Sequence, residues 1–542
     1  MKKYLGIYLI IAVSILLRLI CINKPDGLWN DEYVSYMISA VPFNQGFFDA
    51  VKSQCHMPFY YLYLKFFMTI FGQSDMLLRL TSVIAGILSV IAMYFTGKEK
   101  NETTGLLCAG FTAISSFAIY YSQEVRMYSV LFLFSAMTLL YTIRCIKNPV
   151  KKNFIFCILF NFLVLFTHTI GFVFVFFNLI FLSLNLYKQY KKAIIWLWSC
   201  IGFLGIVLCP LVLKIFTTQS FSQWWGHFSI SKIGFLFTDY FSPVLTNLTN
   251  SPDKFLYDTK LVFLMLVPTI IAIFAIGKSI VKDKFSRGLF AVCLGVIFVL
   301  AGAAISGKLV FITKYSIEIY PILIFLACSG ISSINNKILK NTLIIIYCLI
   351  SIGYIIFAPY SAPKMRRAEG HKIVTDILSD MELKKDDIIL LEYYNKDRFK
   401  KYFDFSDYKV VSINKGNFPK YLSADTTYKE VYKNGKDLYR SMFSSVENNY
   451  FESMLNKEIL DDLKYGQSVV MVVLKSVAEY SPQTLSMISA NDKLYSKQPL
   501  LFLVFSYIKN GTFEYLQKTL TVTKLQTKGN WVIIKFTKLN NP

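Results

Sequence analysis

Cysteine is missing from the C-terminal third of this chain: all ten lie at or before Cys348, nearly all inside apolar runs. That excludes a disulfide framework for the C-terminal region, and the spacing of the ten offers no zinc motif. Acidic residues are scarce, 34 Asp and Glu against 57 Lys and Arg, and there are only four histidines. Charged residues of both signs make up 17%, against 54% hydrophobic and 16% aromatic, which is too apolar for a soluble protein of 542 residues. No internal repeat is visible, which argues against transporter folds made from duplicated halves. The net charge of +23 does not imply nucleic acid, because Lys and Arg fall mostly in short clusters between apolar runs and in the C-terminal quarter. The chain is built for lipid, and membrane lipids are its first expected partners.

A spanning helix needs roughly 20 apolar residues. Eleven segments qualify: 4–22, 76–96, 104–122, 127–143, 153–167, 169–187, 193–213, 260–277, 288–306, 309–333 and 340–358. Lys2 and Lys3 precede the first, and no small-residue cleavage site follows it before Pro25, so it reads as a retained helix. Short loops that carry Lys and Arg stay cytoplasmic. Under that rule Lys2 and Lys3, Lys98 and Lys100, Arg144 to Lys152, Lys188 to Lys192, Lys278 to Arg287, and Lys337 with Lys340 share the inner side. The exterior side receives the loop 23–75, the turns near Glu124 and His168, the loop 214–259, the turn near Lys308, and everything after Ala358. Within the first external loop, Pro58 to Phe71 is apolar but only about 14 residues long, which suits an interfacial or re-entrant helix.

The expected fold is therefore a polytopic α-helical membrane protein with about 11–13 transmembrane helices over residues 1–358. It would sit in the cell (inner or plasma) membrane with the N-terminus cytoplasmic. Residues 359–542 change to a soluble mixture, expected to form an exterior α/β domain. Strand patterns fall at Asp387 to Glu392, Tyr408 to Ile413, Ser468 to Lys475, Leu500 to Ser506 and Trp531 to Phe536, with helical patterns at His371 to Leu378 and Tyr450 to Leu463. Trp224, Trp225 and His227 look like an interfacial aromatic belt.

Ionisable residues at a membrane boundary are costly unless paired or functional, and this topology sends a set of them to the exterior face. Asp31 and Glu32 lie in Leu28-Trp-Asn-Asp-Glu-Tyr33, and His56 precedes the short apolar helix in Cys55-His-Met-Pro-Phe-Tyr60. Glu124, Arg126 and Tyr128 lie in Tyr121-Ser-Gln-Glu-Val-Arg-Met-Tyr128 at a helix-to-helix turn. His168 occupies another such turn, and Lys314 with Tyr315 sits one turn into the tenth helix, in Phe311-Ile-Thr-Lys-Tyr315. Moving a sugar from a lipid phosphate needs a base on the nucleophile and cations on the departing phosphate. Asp31 suits the base, with Glu32 beside it, and Arg126 and Lys314 suit the phosphate. His56, Glu124 and His168 would shape the site or hold a divalent metal; no nucleotide cofactor is expected.

At these residues the sequence resembles the GT-C superfamily, specifically the family 39-like integral membrane transferases that include protein O-mannosyltransferases and bacterial lipid A aminoarabinose transferases. The likeness covers roughly residues 1 to 400. It lies in the order of an Asp-Glu pair after the first helix, a His-x-Pro-x-Tyr-Tyr element, Tyr-Ser-Gln-Glu-x-Arg-x-Tyr, Thr-His, and a basic-Tyr pair before an apolar helix. The resemblance implies a polyprenyl-phosphate sugar donor and a lipid, glycan or protein acceptor. It also implies a catalytic role for Asp31 and carrier-phosphate contacts from Arg126 and Lys314. The family often carries His-Pro-Pro where this chain has His56-Met57-Pro58, and Arg-Tyr where it has Lys314-Tyr315, a point charge in place of a bidentate fork. Two rivals are a transporter or flippase of lipid-linked glycans, which would place charges near the midplane, and a ligase or polymerase of such glycans.

Overall fold

The computed structural model describes residues 5–23, 27–53, 56–218, 230–242, 259–306, 311–357, 370–392, 399–413, 459–461, 463–474, 516–517, 519–528 and 531–539. The chain divides into two compact units, one of residues 1–24 and 34–366, the other of residues 25–33 and 367–542. Residues 25–33 group with the C-terminal unit and not with the helical one.

The first unit is helical. It comprises α1 (Leu5–Leu19), α2 (Asn30–Ala40, whose first four residues count with the other unit), α3 (Gln45–Ser53), α4 (Phe59–Phe71), α5 (Asp75–Lys98), α6 (Glu102–Ile114), α7 (Ser116–Ser122), α8 (Tyr128–Lys147), α9 (Lys151–Thr167) and α10 (Gly171–Thr218). Helices Ser231–Phe241, Thr259–Lys282, Lys284–Ile305, Tyr320–Ser332 and Lys337–Phe357 follow, with a 3-10 helix at Thr313–Ile319. Each of the eleven apolar segments is largely helical here, two of them joined in α10 across a break at Tyr190. Six described helices are long and apolar enough to cross a membrane, and α6 with α7 makes a seventh as a pair bent by 60°.

Polar residues set the joints between these helices. At the α6–α7 break, helical hydrogen bonding is interrupted, and the fully buried Arg18 donates to the freed carbonyls of Thr112 and Ala113, both at 3.1 Å. A charged side chain is tolerable in an apolar interior when it serves such orphan acceptors. The Ser115 hydroxyl then starts α7 by accepting from the Ala118 amide at 3.0 Å. Gln123 closes the end of α1, its Nε2 donating to the carbonyls of Arg18 and Ile20 at 2.8 Å each. Glycine permits the closest helix contacts, since a Cβ at Gly330 would stand 1.8 Å from the Ala275 carbonyl oxygen and one at Gly97 2.5 Å from that of Thr104.

Two expectations need correction here. The external loop 23–75 is not a loop with one short helix, because α2 and α3 precede α4; their mixed polar sequences lack the long apolar run that marks the other helices. Lys314 is not within an α-helix, since the 3-10 segment holds it and the α-helix begins at Tyr320, with Pro321 in its first turn.

The second unit is built on a five-stranded sheet in the order β2-β1-β3-β5-β4, with β1 (Ile388–Glu392), β2 (Lys409–Ile413), β3 (Ser468–Leu474), β4 (Thr521–Lys528) and β5 (Trp531–Thr537). β1 runs parallel to β2 and β3, while β5 is antiparallel to β3 and β4. Alternation along the strands feeds two cores. Ile388, Leu390, Val469, Met471, Ile534 and Phe536 meet Ile459, Leu463, Leu516 and Leu520 on one face. On the other, Ile389, Leu391, Val470, Val472 and Ile533 meet Ile373, Val374, Ile377 and Leu378 of the helix His371–Ser379. Four expected strands and the helix at 371 appear; the expected strand Leu500 to Ser506, nearly all of the helix Tyr450 to Leu463, and the belt of Trp224, Trp225 and His227 lie outside the described residues. β4 is an addition, and its Thr-Val-Thr-Lys-Leu-Gln-Thr-Lys sequence is an edge strand with one apolar face at most.

Candidate active site

Within the first unit, three separate joints bring charge to one aromatic centre. The α7–α8 turn supplies Arg126, whose guanidinium lies 5.9 Å over the Tyr128 ring and donates to the Ser35 hydroxyl at 3.3 Å. That turn is held to α5, since Ser129 donates to the Ser82 carbonyl at 2.8 Å and Ser82 donates to the Arg126 carbonyl at 3.4 Å. The 3-10 segment supplies Lys314, whose ammonium lies 5.5 Å from the Tyr128 ring centre and 5.6 Å from that of Tyr315. The end of α9 supplies His168, which stacks on Tyr315 at 6.2 Å and meets the edge of Tyr128 at 6.2 Å. Two cations face one ring from different elements, an attractive arrangement of about 0.5–1 kcal/mol per contact that strengthens when water is excluded.

His56 joins this group through its charges. Its Nδ1 hydrogen-bonds the Tyr61 hydroxyl and the two rings stack. Burial, and then the neighbouring Arg126, His168 and Lys314, push its pKa well below the ordinary histidine range, so at neutral pH it is an uncharged hydrogen-bonding group. Glu124 is buried in the Arg126 turn, its carbonyl accepting from the Arg126 amide at 2.8 Å. Among the described residues, no group of three or more His, Cys, Asp and Glu side chains is arranged to hold a metal ion. The imidazoles of His56 and His168 serve Tyr61 and Glu318 instead. Glu124, His168 and His56 are therefore not gathered into the metal set expected of them.

Asp31 and Glu32 belong to the second unit. They form the first turn of α2, where acidic residues meet the positive helix end. Glu32 is buried and its Oε2 accepts from the Trp29 amide at 3.3 Å, the return half of a capping box. Asp31 is half-buried. Around them, the Leu28 carbonyl accepts from the His371 amide at 3.1 Å, Tyr402 accepts from the Leu28 amide at 2.9 Å, and the Tyr33 ring meets His371 edge-on.

Sequence reasoning does not single out two further buried acids. Glu318, fully buried, places Oε1 3.2 Å from His168 Nδ1. Asp239, 2% exposed, accepts from the Thr313 hydroxyl at 2.6 Å, and its neighbour Tyr240 donates to the Ser316 carbonyl at 2.6 Å. A signal for Glu318 exists, because it is the sole acid between Asp283 and Glu369 and stands four residues after Lys314.

The chain, a helical unit with an α/β unit, has a GT-C-like fold. ArnT from Cupriavidus metallidurans in the apo state superposes with a TM-score of 0.54 over 98% of this chain and 97% of that one, at 10% identity. The same protein bound to undecaprenyl phosphate gives 0.49 at 10% identity over the same shares of the two chains. The arabinofuranosyltransferase AftD from Mycobacteria gives 0.49 at 11% identity, with 98% of this chain covering 40% of that one. In sequence, residues 55–213 match the family described as dolichyl-phosphate-mannose-protein mannosyltransferase, the stretch that carries His56, Glu124, Arg126, Tyr128 and His168. No curated protein matches the chain significantly in sequence.

Proposed function

We propose that the protein is an inverting glycosyltransferase that moves a sugar from a polyprenyl-phosphate carrier to an acceptor at the outer face of the membrane. The observation that carries this reading is the convergence of Arg126 and Lys314 on the Tyr128 ring, from two joints of a GT-C frame. The departing group in such a transfer is a lipid phosphate, and two fixed cations at an aromatic wall stabilise the charge it gains as the glycosyl bond breaks. Arg126 supplies a planar fork and Lys314 a point charge, while Tyr128 and Tyr315 offer apolar faces to the sugar or the first isoprene unit. The family matched by residues 55–213 is named for a polyprenyl-phosphate-linked mannose donor, which supports the donor class.

In this mechanism Asp31 removes the proton from the acceptor nucleophile as it attacks the anomeric carbon, and Arg126 and Lys314 take up the charge of the carrier phosphate as it leaves. Glu32 keeps the first turn of α2 in register through its contact with Trp29. The test compares turnover of a polyprenyl-phosphate sugar by wild type and Asp31→Asn at matched membrane expression, with donor binding measured separately. Loss of a general base costs about 100-fold to 10,000-fold in rate. Lost turnover with retained donor binding is expected, whereas near-wild-type turnover would remove Asp31 from the mechanism.

A further inference from the structure

Glu318 is the most deeply buried acid near the cation cluster, fully shielded on the 3-10 segment. A carboxylate so enclosed is retained only where a specific partner offsets its desolvation. His168 Nδ1 meets Oε1 at 3.2 Å, and Oε2 has no hydrogen-bond partner among the described residues. The pair joins two elements that the sequence separates by 150 residues, the end of α9 and the segment carrying Lys314. The next layer is aromatic: the His168 ring stacks on Tyr315, and Lys314 lies over both Tyr315 and Tyr128.

We propose that Glu318 is a positioning residue for the donor phosphate site: by accepting from His168 Nδ1 it latches the 3-10 segment to α9, sets the height of Lys314 and Tyr315, and fixes the His168 proton on Nδ1. His168 is then the hinge pin of the site, its Nδ1 committed to Glu318 and its ring face to Tyr315. The titratable groups around His168 are Glu318 on the 3-10 segment, Lys314 on the same segment, Arg126 at the α7–α8 turn and the uncharged His56 before α4. This inference rests on the donor-phosphate reading for its kinetic arm alone.

The test uses the full chain in detergent or nanodiscs. Glu318→Leu removes the acceptor at similar size, Glu318→Gln keeps an acceptor oxygen, and His168→Phe keeps the ring stack without Nδ1. With an undecaprenyl-phosphate sugar as probe, Glu318→Leu should raise the donor KM about tenfold with a much smaller change in kcat, the effect of losing one coupled buried contact. Glu318→Gln should recover most of that loss, and Glu318→Leu/His168→Phe should be no worse than His168→Phe alone. Additive losses, or a changed kcat with an unchanged donor KM, would overturn the latch. The second arm needs no substrate: nitrogen-15 NMR of the four histidines should show the His168 proton on Nδ1 in wild type and a mixed tautomer in Glu318→Leu. An unchanged His168 signal in Glu318→Leu would overturn the pairing. If wild type uses no polyprenyl-phosphate sugar at all, the donor reading fails while this spectroscopic arm still decides the latch.

Discussion

Arg126 shows how one residue serves both fold and site. Its carbonyl receives Ser82, its guanidinium reaches Ser35, and its cationic plane covers Tyr128. Arg126→Ala should raise the donor requirement strongly, because a charge-assisted contact to a desolvated phosphate is worth about 1.5–3 kcal/mol, roughly tenfold to a hundredfold in KM. Arg126→Lys should recover part of this, as it keeps the charge without the fork. Donor titrations at matched expression check both, and unchanged kinetics in the two variants would leave Arg126 as a membrane-boundary anchor. At this scale the sequence is informative where a charge has no apolar excuse. Arg126, Lys314, His56 and His168 stand out because each interrupts or ends an apolar run, and the structure places Arg126, Lys314 and His168 against Tyr128 or Tyr315. Glu318 and Asp239 are legible as isolated acids but not as partners, since what makes them matter is a contact 150 residues away in one case and 74 in the other. Sequence periodicity carries no information about such distances.

At the scale of elements, apolar runs locate every long helix, while their joints depend on single polar contacts that no run reveals. The bend between α6 and α7 falls inside one continuous apolar segment, 104–122, and is visible only once Arg18 is found on the Thr112 and Ala113 carbonyls. The 3-10 segment is likewise hidden, because Thr313–Ile319 continues into the apolar run of the following helix. Helix packing gives a sharper test. Gly330 lets the helix Tyr320–Ser332 approach Thr259–Lys282 so closely that a methyl group would overlap the Ala275 carbonyl. Gly330→Ala must therefore push two backbones apart, at about 1–3 kcal/mol for an overpacked contact. A methyl group added at Gly302, in the helix Lys284–Ile305, would meet nothing within 4 Å, so Gly302→Ala should be neutral or stabilising by about 0.5–1 kcal/mol. Thermal unfolding of the purified variants should show a lowered midpoint for Gly330→Ala alone; equal midpoints would mean that the helix pair has slack.

For the whole molecule, sidedness is decisive, because a lipid-phosphate donor and a base act together only if the joints that carry them share one face. Loop charge supplies that expectation independently of the site: Arg144, Lys147, Lys151 and Lys152 lie at the joint of α8 and α9, and Lys188, Lys191 and Lys192 flank the break in α10 at Tyr190. Positive short loops remain cytoplasmic, so these two joints are expected on the inner side. The α7–α8 turn with Arg126 and the α9–α10 turn with His168 are the alternate joints, expected on the other side. Engineered single thiols read this directly. Asn148, in the α8–α9 joint, should label only from the cytoplasm, whereas Asn30 at the start of α2 and Asp407 beside β2 should label from outside. The nine described native cysteines are free and buried or half-buried, so the wild-type chain serves as the labelling control. Labelling of Asp407→Cys from the cytoplasm alone would separate the C-terminal unit from the outer face. Since residues 25–33 group with that unit, it would take Asp31 away from the side on which the carrier reading needs it.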